Sequence, residues 1–516
     1  MEFLKQIKLI QGGMGVYVSN WRLAKAVATQ KPGITAGSVS GTALDIVYTR
    51  LLQLGDPGGH ILRAFTAFDE QFGVEIGKKV YSHYFIAGGK ATNDPFQYGP
   101  KPNVRFMDKS REISAQINHS EPTLLTLDEE LIELLIISNY AEVWLAKENH
   151  KGIIFINYLK KIELPLIYAL YGAMLAGVDG VVVGAGNPDG LPALCSDLAK
   201  HATVITDLPV LYRESGEKFI LSFDPGSIAQ GRFTLKPLNR PAFLAIVSSE
   251  NLVDALAHSS SQPPDGFIIE HHTAGGHNAP PQGPAKNDSS GQLLYSESDE
   301  PDLEAIRRQE LPFWLAGGYN THTKLEMALK AGATGVQIGS TFALAEESGL
   351  SPGYRNALFT EFKNGRPNEA LVRTSSFSPT GFPFKVAQLN GTLSDEDVYT
   401  ARRRYCDLGL LKQIGLSKPD DEGMRHLFQR CAAAPVEEFI NKRGLPHNSE
   451  GKRCLCNGLI AGVGLGQMGK QPGEQSEEPA IVTLGNNLDG IRKLSQQGQT
   501  VYCAKNVIED ILVSSV

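Results

Sequence analysis

Short apolar runs recur along the chain, and each ends on a small or polar residue. They lie at Lys8–Gln11, Gly33–Ala36, Ile153–Asn157, Gly180–Gly184, Phe243–Ser248, Gly266–Glu270, Phe313–Gly317 and Gly335–Gly339. Helix-like segments fall between most of them: Trp21–Thr29, Thr42–Leu54, Pro165–Leu175, Leu191–His201, Asn251–His258 and Thr323–Ala331. Strands that are apolar on both faces and alternate with helices predict a parallel sheet covered on both sides. Eight strand–helix units predict an α/β fold that closes on itself, a (β/α)8 TIM barrel.

Two regions break the alternation. Residues 58–150 hold the helix-like stretches Glu70–Tyr84 and Leu127–Lys147 around a Pro/Gly/Asn-rich loop at 88–104, and read as a helical insertion after strand 2. Residues 350–516 follow the eighth unit as a mainly helical C-terminal region. The expected division is therefore a barrel over 1–349, with its 58–150 insertion, and a C-terminal region over 350–516. Within the barrel, Leu211–Arg240 reads as a hairpin, and the acidic stretch 283–300 as a mobile loop. From Leu164 to Gly186 the only charge is Asp179. Pro165 suits a helix start, Gly177–Gly180 a turn, and Val181–Val183 a buried strand, so this is a helix and a strand rather than a membrane span.

Composition supports a soluble globular reading. Of 516 residues, 42% are hydrophobic and 20% charged, outside the range of disordered chains. The net charge of −7 offers no basic patch, so nucleic acid is not an expected partner. Six cysteines in this length make no disulfide framework, and Met1-Glu2-Phe3-Leu4-Lys5 does not open a signal peptide. A reducing cytoplasm is the expected compartment.

The chemistry-bearing residues sit at the strand ends, where a parallel barrel places its active site. Thr273-Ala274-Gly275-Gly276-His277 follows the sixth strand. Its glycines allow backbone to approach a flat ligand, and His277 brings a group expected to titrate near neutrality. His271 and His272 stand close by, but no carboxylate or cysteine spacing accompanies them, so no metal site is expected there. Ala316-Gly317-Gly318 ends the seventh strand and Gly339-Ser340-Thr341 the eighth. Loops after these two strands commonly cradle a phosphate, because glycine amides and a helix N-terminus converge. Gln11-Gly12-Gly13-Met14-Gly15 ends the first strand and Asn157 the third, where they could line a heterocycle.

Two further features are set aside. Gly464-Leu465-Gly466-Gln467-Met468-Gly469-Lys470 mimics nucleotide-binding glycine motifs but lacks the strand–loop–helix context they need, and Gln471 follows where one of them requires Ser or Thr. It reads as a glycine-rich turn. Cys406, Cys431, Cys454 and Cys456 crowd the C-terminal region without the usual ligand spacing; buried free thiols are the first reading, a zinc or iron–sulfur site the second.

Together the segments Ile10–Gly15, Ala274–His277, Ala316–Gly318 and Gly339-Ser340 resemble the nitronate monooxygenase family, formerly called 2-nitropropane dioxygenases. The likeness runs in order over residues 6–346, apart from the insertion. It implies an FMN-dependent TIM barrel. Gly317, Gly318, Gly339 and Ser340 would then hold the FMN phosphate. Gly13, Met14 and Asn157 would border the ring system, and Ala274 and Gly275 would pass along it. His277 would act as the catalytic base or orienting group. The chain departs from the pattern at Gly12-Gly13, where the family usually carries a Pro-containing turn, and at His271, where it usually carries glycine.

Phe382–Val386 and Arg402–Tyr405 resemble the segment that follows the barrel in trans-acting flavin enoyl reductases of polyketide and fatty-acid synthesis. The histidine motif leans to the oxidase side and the tail to the reductase side. The leading expectation is oxidation of an alkyl nitronate or related carbanion by O2. The alternative is NAD(P)H-dependent reduction of an enoyl thioester. A barrel that holds FMN or a sugar phosphate only as a scaffold is a third class. The expected partners are small molecules; a membrane is not among them, and a homo-oligomer is left open.

Overall fold

The computed structural model describes residues 1–107, 121–229, 236–258, 262–284, 286–289, 292–469, 477–496 and 501–512. Eight parallel strands close into a barrel: β1 (Leu9–Gln11), β2 (Thr35–Ser40), β3 (Ile153–Leu159), β4 (Gly180–Gly184), β5 (Ala242–Val247), β6 (Gly266–Glu270), β7 (Phe313–Ala316) and β8 (Gly335–Ile338). Each strand pairs with its neighbours in sequence order, and β8 returns to β1 through Leu9↔Val336. All eight expected strands are present. The second lies further along than its apolar signal, because Gly37, Ser38 and Ser40 extend it with small residues that carry little hydropathy.

The period of two along each strand sorts side chains into two cores. Ile10, Ala36, Phe155, Val182, Leu244, Ile268 and Trp314 point inward and fill the barrel. Leu9, Ile154, Ile156, Val181 and Val183 point outward into the larger core beneath the helices. Leu4 and Ile7, from a short N-terminal 3-10 helix (Glu2–Gln6) and its end, belong to the inner cluster and plug the barrel's N-terminal mouth. There the indole Nε1 of Trp314 donates to the Ile7 carbonyl at 2.8 Å. A closed bottom leaves the C-terminal strand ends as the place for a ligand.

The insertion carries helices at His60–Phe72, Ile76–Tyr84 and Glu129–Lys147. The expected stretch Glu70–Tyr84 is broken at Gly73, which ends the first helix in a left-handed conformation. Glu129–Lys147 packs on the helices Trp21–Gln30 and Glu163–Leu175, so it serves as the outer helix between β2 and β3. In the 211–240 stretch the antiparallel ladder begins earlier than expected, pairing Val204–Asp207 with Phe219–Phe223, and Leu211 instead pairs with Gly415.

The C-terminal region has helices at Pro352–Lys363, Leu455–Ala461, Asp489–Gln496 and Ala504–Leu512, and also four short strands. The hairpin Val372–Ser375/Phe384–Ala387 adds Gly276–His277 as a third strand. Buried Arg50 pairs with Asp407 and ties the second barrel helix to this region. The glycine-rich turn at 464–469 serves the same end: Gln467 accepts from the Phe96 amide at 2.7 Å and donates to its carbonyl at 3.1 Å. Lys470 lies outside the described residues. No helix among the described residues is long and apolar enough to cross a membrane.

Candidate active site

A cavity of about 560 Å³ opens over the C-terminal ends of the strands. That volume lies in the range of roughly 300–1,000 Å³ usual for small-ligand pockets. Gly13, Met14, Asn157, Ala274, Gly275, His277, Gly317, Gly318, Gly339 and Ser340 all line it. The structure thus brings these ten strand-end residues to one place, while Gln11, His271 and His272 lie outside its wall.

The glycines are required by close approach. A Cβ on Gly13 would lie 2.2 Å from the Asn157 Cβ, and Gly317 and Gly318 hold φ of +86° and +80°. Consecutive left-handed residues suit glycine because other side chains strain there. Beyond them, Ser340 begins a single helical turn (Ser340–Ala343).

His277 enters the cavity wall from its short strand against Phe384 and Lys385. Its Nε2 shares a hydrogen bond of 3.0 Å with Ser378 Oγ, which is itself bonded to Thr380 Oγ1 at 2.7 Å. The Phe384 ring meets the imidazole edge-on at 4.7 Å. Burial, with the charge of Lys161 adding to it, holds the imidazole well below its ordinary pKa. The near-neutral titration expected of this residue is therefore not found: the ring is neutral at pH 7, because its surroundings desolvate the charged form.

Three charged groups were not picked out as site residues from the sequence. Glu270 ends β6 and faces the cavity; burial raises its carboxyl to about 7 against the opposing pull of Lys161 and Lys385. Burial lowers both lysines to about 8, with Glu270 opposing. Lys385 Nζ donates to Thr374 Oγ1 at 2.8 Å, and Lys161 Nζ sits 4.7 Å from the centre of the Phe382 ring. Glu270 was visible as a strand-end acid. The lysines carried no signal, since one follows β3 and the other lies in the tail.

The tail also supplies wall residues. Thr483, Gly485 and Asn487 line the cavity beside the strand 7 and 8 loops, and the Gly485 amide donates to Ser340 Oγ at 2.8 Å. Leu410, Leu411, Leu455, Cys456 and Leu459 form an apolar side. The six cysteines are free thiols, and among the described residues no three of them lie within 4.8 Å of one another.

Residues 229–365 match the family model for nitronate monooxygenase. The match spans 137 of the 516 residues, the second half of the barrel. It bears out the resemblance read from the strand-end motifs and supports a flavin-dependent oxidoreductase. The matched segment runs from before β5 to beyond β8 and includes His277 and all four glycine and serine positions after β7 and β8. No curated protein matches the chain. Similar solved structures include FabK from Thermotoga maritima (13% identity, 99% of this chain and 93% of that chain, TM-score 0.46). They also include a nitroalkane oxidase from Streptomyces ansochromogenes (13%, 98% and 94%, TM-score 0.43). A third is the enoyl reductase domain of MlnA from Bacillus amyloliquefaciens (12%, 78% and 95%, TM-score 0.37).

Proposed function

We propose that the protein binds FMN in this cavity and oxidises small carbanionic substrates such as alkyl nitronates, with O2 as the final electron acceptor. The observation that carries the reading is the neutral, buried His277 held against Ser378 in the wall of a glycine-lined cavity. The residues present fit the cofactor. Gly317, Gly318, Gly339 and Ser340 would hold its phosphate. Gly13, Met14, Asn157, Ala274 and Gly275 would border its ring. Asn278 Oδ1, Asn320 Oδ1 and Thr341 Oγ1 are buried at the cavity with no hydrogen-bond partner among the described residues, and the hydroxyls of a ribityl chain would supply one.

When bound, FMN supplies two-electron acceptance and reoxidation by O2. The protein's own part is proton handling and positioning. A neutral imidazole can accept the α-proton of a nitroalkane. Ser378 occupies Nε2, and Nδ1 has no hydrogen-bond partner among the described residues, which makes Nδ1 the nitrogen to receive it. Lys161 lines the cavity and places positive charge beside a substrate that turns anionic on losing its proton.

A second reading rests on a specific feature. The apolar wall of Leu410, Leu411, Leu455 and Leu459 suits a substrate longer than a nitroalkane. An acyl thioester, reduced with NAD(P)H as hydride source, would use it. Anaerobic mixing separates the two. Bleaching of the flavin by an alkyl nitronate but not by NADPH supports the oxidase; the reverse supports the reductase. A purified chain that stays colourless and takes up no FMN on reconstitution would remove both.

A further inference from the structure

We propose that His271, His272 and Glu300 form a site for one divalent transition-metal ion, with two imidazoles and a carboxylate as ligands. The side chains come from opposite ends of a long loop. His271 and His272 follow β6, and Glu300 follows the 3-10 turn Glu297–Asp299. One donor atom from each residue lies within 4.8 Å of the other two. His271 Nε2 is 2.7 Å from Glu300 Oε1, and His272 Nε2 is 4.0 Å from the same oxygen.

Ligands bound at about 2.0–2.1 Å in tetrahedral array lie roughly 3.3 Å apart. The two distances bracket that value. Glu300 has a side chain 56% exposed, so it can make the shift of roughly 0.6–0.7 Å that each contact needs. Without a metal, the contact between His271 and Glu300 is a hydrogen bond through one proton. A metal ion would take the place of that proton.

The surroundings orient the donors. His271 Nδ1 shares a hydrogen bond of 2.7 Å with Thr273 Oγ1, which leaves Nε2 as the ligand nitrogen. A partner on the remote nitrogen is the usual way a metal-binding imidazole is fixed. The His272 ring lies flat on Tyr295, with centroids 4.0 Å apart and planes within 6°. Tyr295 Oη in turn donates to the Ala279 carbonyl at 2.9 Å, and Ala279 lines the cavity. Two nitrogens and one oxygen form a borderline set that suits Zn2+, Co2+ or Fe2+ rather than Mg2+ or Ca2+. Bound there, the ion would pin the acidic loop to the end of β6 at the cavity rim. None of its three ligands lines the flavin cavity itself, so the site stands apart from the proposed oxidation chemistry.

The test is metal binding to the full-length, tag-free flavoprotein. The protein is stripped with EDTA, equilibrated with Co2+ or Zn2+, and analysed for metal and for cobalt visible absorption. The expected result is one ion per chain. His271→Ala and His272→Ala should lose it, and Glu300→Gln should bind at least about tenfold more weakly. His258→Ala, a change at an exposed histidine, should bind like the parent. Because Glu300 is exposed, Glu300→Gln keeps the fold. Zn2+ should raise the melting temperature of the parent and not of this variant. Trace binding by the parent, or equal binding by the parent and Glu300→Gln, would overturn the site and leave His271–Glu300 as a hydrogen bond alone.

Discussion

The backbone amide of Gly485 donates to Ser340 Oγ at 2.8 Å, across 145 positions of chain. Ser340 opens the helical turn after β8, and Gly485 belongs to the tail. With its oxygen already accepting, the Ser340 hydroxyl keeps its proton free for an anionic ligand. The tail is thus built into the expected phosphate cradle. A Cβ on Gly485 would come 2.7 Å from the Thr273 carbonyl oxygen. Gly485→Val should therefore weaken FMN binding by at least about tenfold, the 1.4 kcal/mol of one displaced polar contact. Far-ultraviolet circular dichroism should be unchanged. Flavin titration reads the effect, and parental affinity in this variant would separate the tail from the cofactor site.

Gly318 offers a sharper test. Its φ of +80° already disfavours a side chain, and the nearest groups to a new Cβ are Thr273 Oγ1 at 3.4 Å and Asn487 at 3.5 Å. Gly318→Asp would also set a carboxylate against the phosphate, and like charges repel. The variant should purify without flavin colour. Retention of one FMN per chain would show that the phosphate lies elsewhere.

His277 and Ser378 form one unit. His277→Ala should leave FMN bound and slow turnover of a neutral nitroalkane by roughly 10²–10⁴-fold, the usual contribution of a positioned base. Preformed nitronate, which needs no deprotonation, should be much less affected. Ser378→Ala should show a smaller loss in the same direction, because it frees the imidazole to rotate. Steady-state rates with the two substrate forms decide the matter: an equal loss on both would mean that His277 does not handle the proton.

A pH effect on stability follows from Glu142, which does not line the cavity. Burial raises its carboxyl from 4.5 to about 8, although the Tyr48 hydroxyl donates to Oε2 at 2.8 Å. Oε1 has no partner. A group whose folded pKa lies above its unfolded value stabilises fully below the unfolded value and loses that contribution as pH rises through the folded one. Stability should therefore fall between pH 4.5 and 8, by up to a few kcal/mol at about 1.4 kcal/mol per pKa unit. Glu142→Gln, which cannot ionise, should flatten that slope in urea unfolding at pH 5 and pH 8. An unchanged slope would place the ionisation elsewhere.

The parts of this protein that could be read in advance are the ones that depend on neighbours in sequence. Most barrel strands are buried on both faces and apolar along most of their length, which is why they stood out. Each glycine at a strand end answers a local backbone requirement, as at Gly317-Gly318, so the wall of the cavity was legible as well. The exception was β2, whose small residues Gly37, Ser38 and Ser40 carry no apolar signature.

The rest is decided by contacts between distant segments. Ser378 reaches His277 across 101 positions, Gly485 reaches Ser340 across 145, and Glu300 reaches His271 across 29. A hydroxyl, a glycine or a surface acid looks the same in sequence whether it meets such a partner or faces water. The same holds for the pKa of His277: an isolated imidazole titrates near neutrality, and only the enclosing wall, with Lys161 beside it, makes this one neutral. The sequence by itself determined the barrel and the strand-end positions, because hydropathy and backbone freedom are local properties. The tertiary structure decided the charge state of the site and which groups the tail and long loop bring to it, because electrostatics and hydrogen bonding depend on distance in space.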